Sequence, residues 1–75
     1  MKFLIDDGKI KYRLARNLEE LRKRKNLRQA DVAHIIGVSK NGYALYEQCV
    51  HLPSAKVLAK ICNLFEVDIA DLFRY

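Results

Sequence analysis

Five side chains able to touch a nucleic acid, Lys40, Asn41, Ala44, Leu45 and Gln48, fall on one side of a helical repeat over residues 40 to 48. On the other side Tyr43, Tyr46 and Val50 stand at i, i+3 and i+7 and make one apolar stripe. One face is expected to be anchored in a core and the other presented. A presented face of small, polar and basic groups on an amphipathic helix is what a helix needs to enter a DNA groove.

Other chemistries find no constellation. His34 and His51 are seventeen residues apart with no acidic cluster nearby, and no triad can be assembled around them. Cys49 and Cys62 lack the paired spacing of a zinc or redox site, so free thiols are expected, with no metal bound. There is neither a Walker loop nor a dinucleotide fingerprint, so no cofactor is implied and the chain does not read as an enzyme.

The presented helix needs elements to hold it. Ser39 is a good N-cap for it, and Gly37 supplies the left-handed turn that ends a preceding helix over residues 29 to 36, with Val32, Ala33 and Ile36 inward. A first helix is expected over residues 13 to 25, with Leu14, Leu18 and Leu21 at i, i+4 and i+7. Its last turn is basic, which suits the negative end of the helix dipole, and Asn26 is its left-handed stop. After the presented helix, Pro53 marks a loop and Ser54 caps a fourth helix over residues 55 to 65, with Val57, Leu58, Ile61, Leu64 and Phe65 on its apolar face. Asp68 and Asp71 resemble a capping pattern for a last short helix carrying Ile69, Leu72 and Phe73. At the start, two short β-rich runs flank Asp7-Gly8, a hairpin-turn dipeptide, so a hairpin is expected over residues 1 to 12, with Phe3, Ile5, Ile10 and Tyr12 supplying its packing contacts.

Length and charge set the class. Seventy-five residues make one small domain near the lower limit for a self-sufficient core, which dimerisation would help. No window approaches a membrane span, and Asp6 and Asp7 cut the initial apolar run too short for a signal peptide, so the expected compartment is the cytoplasm. Of the formal charge of +5, residues 9 to 28 carry nine Lys and Arg against two Glu. A solvated helix face is the bland reading of this segment; so one-sided a balance favours a polyanion partner.

From Leu14 to Phe73 the sequence resembles the XRE family of helix-turn-helix domains, the family of the Cro and CI repressors of lambdoid phages. The resemblance rests on an ordered set: Leu21-Arg22, Gln29, Val32-Ala33, Gly37-Val38-Ser39, Tyr43, Tyr46-Glu47, Pro53-Ser54 and the ending LAKICNLFEVDIADLF. It implies an all-α, compact five-helix lambda-repressor-like bundle over residues 13 to 75, usually dimeric, whose third helix reads the major groove. By the same resemblance Lys40, Asn41, Ala44 and Leu45 are the readers of base edges. A lysine can donate to guanine, an asparagine can pair bidentately with adenine, and alanine or leucine can meet a thymine methyl. Arg28, Gln29, Ser39 and Gln48 fall near the phosphates. Arg22 reads naively as part of the basic patch, but the resemblance assigns it, with Glu47, to a buried ion pair joining helices one and three.

Some positions depart from the family pattern. Cys49 stands where a glycine usually ends the recognition helix. Gly42 sits inside that helix, which either permits close approach to DNA or is merely tolerated at an exposed site. Leu45 is apolar where a polar residue is common, as a methyl reader or a sign of a protein-binding surface. The N-terminal hairpin is an addition for which a dimer-stabilising sheet or a groove-reaching arm would fit, the dimer contact being the favoured reading. The function expected is a homodimeric regulator of transcription on a pseudo-palindromic operator, repressing by occlusion, or activating by contact with RNA polymerase. The alternative is an antitoxin-like subunit that binds a partner protein and meets DNA mainly in that complex.

Overall fold

The computed structural model describes residues 7–74, which form five helices: α1 (Asp7–Arg24), α2 (Gln29–Ile36), α3 (Lys40–Glu47), α4 (Ala55–Phe65) and α5 (Ile69–Phe73). The described residues contain no strand. Leu14 and Leu18 of α1, Val32, Ala33 and Ile36 of α2, Tyr43 of α3, Ile61 and Phe65 of α4 and Leu72 of α5 share one core. Helix α1 packs on α3 and α5, while α2 packs on α3 and α4. Helix α3 therefore rests on two elements, α2 just before it and α1.

The N-terminal hairpin is corrected. Asp7, Gly8 and residues up to Tyr12 belong to α1, so no turn forms at Asp7-Gly8; residues 1 to 6, with Phe3 and Ile5, lie outside the described residues. The physical reason is the longer apolar period. Ile10, Leu14, Leu18 and Leu21 continue a single helical stripe, while Tyr12, which alternation would place beside Ile10, is 48% exposed. Asp7 in the first turn also suits the positive end of the helix dipole.

The starts of the helices follow local chemistry. Ser39 Oγ accepts the Gly42 N–H at 2.9 Å and Ser54 Oγ accepts the Val57 N–H at 3.2 Å. At α5 the Asp71 carboxylate accepts the Asp68 N–H at 3.0 Å. Asn17 of α1 holds α5 from its other end, its amide nitrogen donating to the carbonyls of Leu72 at 2.8 Å and Arg74 at 2.7 Å.

Four helices end alike. The carbonyls of Arg22, Ala33, Leu45 and Cys62 accept the N–H five residues on, at 3.1, 3.0, 3.0 and 3.1 Å, across a left-handed residue: Asn26, Gly37, Cys49 and Glu66 respectively. Only one of the four is glycine. Cys49, at φ 66°, carries its β-carbon into that region at a cost of roughly 1–2 kcal/mol. Glycine's larger entropy in the unfolded chain returns about half of it. Cys49→Gly is thus expected to raise the thermal midpoint by several degrees, on the basis of roughly 4–8 °C per kcal/mol for a chain of this size. A lower midpoint by calorimetry would show that the exposed thiol contributes contacts that outweigh the backbone strain.

Candidate nucleic-acid interface

The turn between α2 and α3 is short because Gly37, at φ 79°, reverses the chain within three residues. A β-carbon there would be strained by that angle and would stand 3.4 Å from Lys60 Nζ. Beyond the turn, Lys40, Asn41 and Gln48 are exposed and Ala44 and Leu45 half-buried, while Tyr43 is fully buried. The expected stripe is only partly anchored: Tyr46 is half-buried against the core, but Val50 lies past the helix end and is 44% exposed. Gly42 has a local role, since a β-carbon there would sit 3.0 Å from Ser39 Oγ and crowd the cap.

Glu47 fixes the helix from behind. Arg22 Nε donates to its Oε2 at 2.7 Å and Arg22 Nη2 to its Oε1 at 3.1 Å, with only 12% and 5% of the two side chains exposed. Tyr43 Oη donates to Oε2 at 2.5 Å and Gln29 Nε2 to Oε1 at 2.9 Å. Arg22 Nη1 also donates to the Leu27 carbonyl at 2.9 Å. One carboxylate thus receives donors from α1, α2 and its own helix. Tyr43 stacks edge-on against Tyr46, with ring centroids 6.0 Å apart at 85°.

The four expected phosphate neighbours lie at the start of α2 and at the two ends of α3. Arg28 precedes α2 with its side chain 83% exposed, and its Nε and Nη2 fork onto Asp31 at 3.1 and 3.0 Å. The outer edge of the guanidinium, including Nη1, faces away from that fork's donors. Gln29 spends one amide hydrogen on Glu47 and retains a second, and Ser39 uses its oxygen as a cap while its hydroxyl hydrogen can still donate. Gln48 is the last residue of the presented face and caps α3. Two members of this site escaped the sequence reading. The apolar pattern marks Tyr43 only as an anchor, although its i, i+4 spacing to Glu47 signals the hydrogen bond, and Asp31 stands at i+3 from Arg28. The Gln29 contact to Glu47 spans 18 residues and has no local signal.

The network has a pH signature. Burial alone would push Glu47 up, but the hydrogen bonds from Arg22, Tyr43 and Gln29 together outweigh it and hold the carboxyl below its ordinary value of 4.5. Tyr43 is pushed well above its ordinary 10.0, by burial first and then by donating to Glu47. For Glu47 the folded value is depressed, so its stabilisation is present above 4.5 and lost as pH falls through the folded value. For Tyr43 the folded value is raised, so its stabilisation is present below 10.0 and lost as pH climbs beyond that towards the folded value. Urea midpoints measured across pH are expected to fall at both ends. In Tyr43→Phe the alkaline fall attributable to this hydroxyl is expected to vanish, and its persistence would assign that limb elsewhere.

Among the described residues no group of His, Cys, Asp and Glu is placed to hold a metal ion, and no helix is long and apolar enough to cross a membrane. A family model described as helix-turn-helix matches residues 18–72. The transcriptional repressor RstR of the cryptic phage CTXphi from Vibrio cholerae is 36% identical over 55 residues, covering 73% of this chain and 50% of that protein. The antitoxin PezA of Streptococcus pneumoniae is 32% identical over 59 residues, 79% of this chain and 37% of that protein. The chain thus spans half or less of the length of these relatives. The crystal structure of the restriction-modification controller protein C.AhdI from Aeromonas hydrophila superposes with a TM-score of 0.80 at 22% identity, over 92% of this chain and all of that one, and shares the fold. With the five-helix bundle and the α2-turn-α3 unit already in place, the match over residues 18–72 means that the chain belongs to the XRE-type helix-turn-helix family.

Proposed function

We propose that this chain is a sequence-specific double-stranded DNA-binding regulator of transcription, acting in the cytoplasm as a homodimer that represses by occupying a pseudo-palindromic operator. One observation carries the reading: α3 presents Lys40, Asn41 and Gln48 to solvent while its opposite side is locked by Tyr43 and Glu47. In this reading Lys40 donates to guanine, Asn41 pairs with adenine, and Ala44 and Leu45 meet thymine methyls. Arg28, Gln29, Ser39 and Gln48 grip phosphates and set the register. Two such helices, one per subunit, meet successive major grooves about 34–36 Å apart. Contact with RNA polymerase is the route by which the same occupancy would activate.

The test is binding of the purified chain to a duplex from immediately upstream of its own gene, against a shuffled duplex, at two salt concentrations. A specific excess of about a thousandfold, the lower end of ordinary specificity ratios, is the expected result. Equal and steeply salt-dependent binding to both duplexes would reduce the basic segment to a general polyanion attractor.

A second reading, an antitoxin-like subunit that meets DNA mainly with a partner protein, draws on the likeness to PezA and on Ile35 and Ile69, which are 52% and 54% exposed. Its mark is a chain that by itself stays monomeric and binds no duplex selectively.

A further inference from the structure

The flank of α1 that turns away from α3 carries a second cluster. Arg22 reaches α3, whereas Asn17 reaches α5, so the residues around Asn17 face a different part of the molecule from the recognition helix. There Tyr12, Arg13, Arg16, Asn17 and Glu20 of α1, with Arg74 just beyond α5, line a recess of about 180 Å³. The Arg16 guanidinium carbon lies 6.0 Å from the centre of the Tyr12 ring. Among the described residues, the carboxylates of Glu20 and Asp71 already have cations: Glu20 accepts from Arg24 Nη2 at 3.2 Å and Asp71 from Arg74 Nη2 at 2.7 Å. Among the described residues Arg16 has no carboxylate partner. The Asn17 amide, by holding the carbonyls of Leu72 and Arg74, fixes the wall that carries Arg74.

We infer that this recess binds a small aromatic carboxylate, as an effector site separate from the DNA face. The chemistry is that of the walls. A guanidinium fork matches a carboxylate in plane and spacing, and the Tyr12 ring offers a flat apolar surface for the body of such a ligand. The volume lies below the roughly 300–1,000 Å³ of pockets for drug-sized molecules, which restricts the ligand to about one ring and one acid group. Because Arg74 follows α5 directly, occupancy bears on how the end of α5 is seated on α1.

The experiment is a titration of the isotopically labelled full chain, followed by amide NMR at constant ionic strength, with sodium benzoate, sodium phosphate and benzamide as probes. Saturable shifts at Tyr12, Arg16, Asn17 and Arg74 are expected with benzoate, much weaker ones with phosphate and none with benzamide. Arg16→Gln is expected to weaken benzoate by about tenfold, the scale of one charge-assisted pair, with an unchanged thermal midpoint. Lys23→Gln, which makes the same change of charge elsewhere on α1, is expected to leave it intact. Phosphate or benzamide equal to benzoate, equal losses in the two variants, or shifts that never saturate would each overturn the site.

Discussion

Arg22→Ala is expected to bring the domain close to unfolding at ambient temperature. The substitution removes two of the four donors to Glu47 and leaves a carboxylate whose side chain is only 5% exposed facing Tyr43 and Gln29 alone. Breaking a buried pair from one side costs roughly 3–5 kcal/mol, because the remaining charge keeps its desolvation without its partner. A chain of this length has about 4–11 kcal/mol of total stability, at the usual 0.05–0.15 per residue. The loss is thus a large share of the whole, and DNA binding fails with it through unfolding. Adding Glu47→Gln to Arg22→Ala is expected to restore part of the stability, since a neutral amide has no charge to leave stranded. Urea unfolding of the wild type and both variants by circular dichroism decides the matter. If the single variant unfolds at the wild-type midpoint, the pair is solvated in solution. If the double variant is no better than the single one, the cost lies in Arg22's contact to the Leu27 carbonyl and not in the charge.

What the sequence made legible follows from how far apart the interacting groups lie. The helix ends at Asn26 and Gly37 and the caps at Ser39 and Ser54 rest on residue types that announce them locally, whereas Cys49 and Glu66 take the same left-handed conformation without such a signal. Helices α2 and α4 could therefore be placed from spacing alone. The same local logic failed at residues 7 to 12, where Asp7-Gly8 and the Ile10, Tyr12 alternation satisfy a hairpin as well as a helix start. The stripe continuing from Leu14 to Leu21 decides between them, and a helix already nucleated extends at little cost per residue. The Asn17 clamp on the end of α5 bridges more than fifty residues, so nothing in the chain near Asn17 announces it. Within the candidate site, position on α3 was readable and hydrogen-bond allegiance was not. Gln29 looks the same whether its amide meets a phosphate or Glu47, and only the tertiary approach of α2 to α3 gives it the second partner.

Asn41→Ala separates recognition from folding more sharply than any change at the ion pair. Asn41 is exposed in the first turn of α3 and holds no element in place, and alanine is the better helix former, so the fold is expected to keep its stability or gain a few tenths of a kcal/mol. A bidentate pair with adenine is worth roughly 1–3 kcal/mol of discrimination, a factor of about 5 to 150 in relative affinity at one base pair. Competition binding against operator variants changed one pair at a time is expected to show that preference collapsing at a single symmetric position in each half-site, with other positions intact. The salt dependence stays unchanged, because no phosphate contact is lost. Lys40→Ala provides the contrast: a lysine on guanine also relaxes one position, whereas a lysine on a phosphate weakens every sequence alike and reduces the salt slope by about one. Should Asn41→Ala weaken all duplexes equally, Asn41 reads no base, and specificity must come from Lys40, Ala44 and Leu45 or from the shape of the DNA.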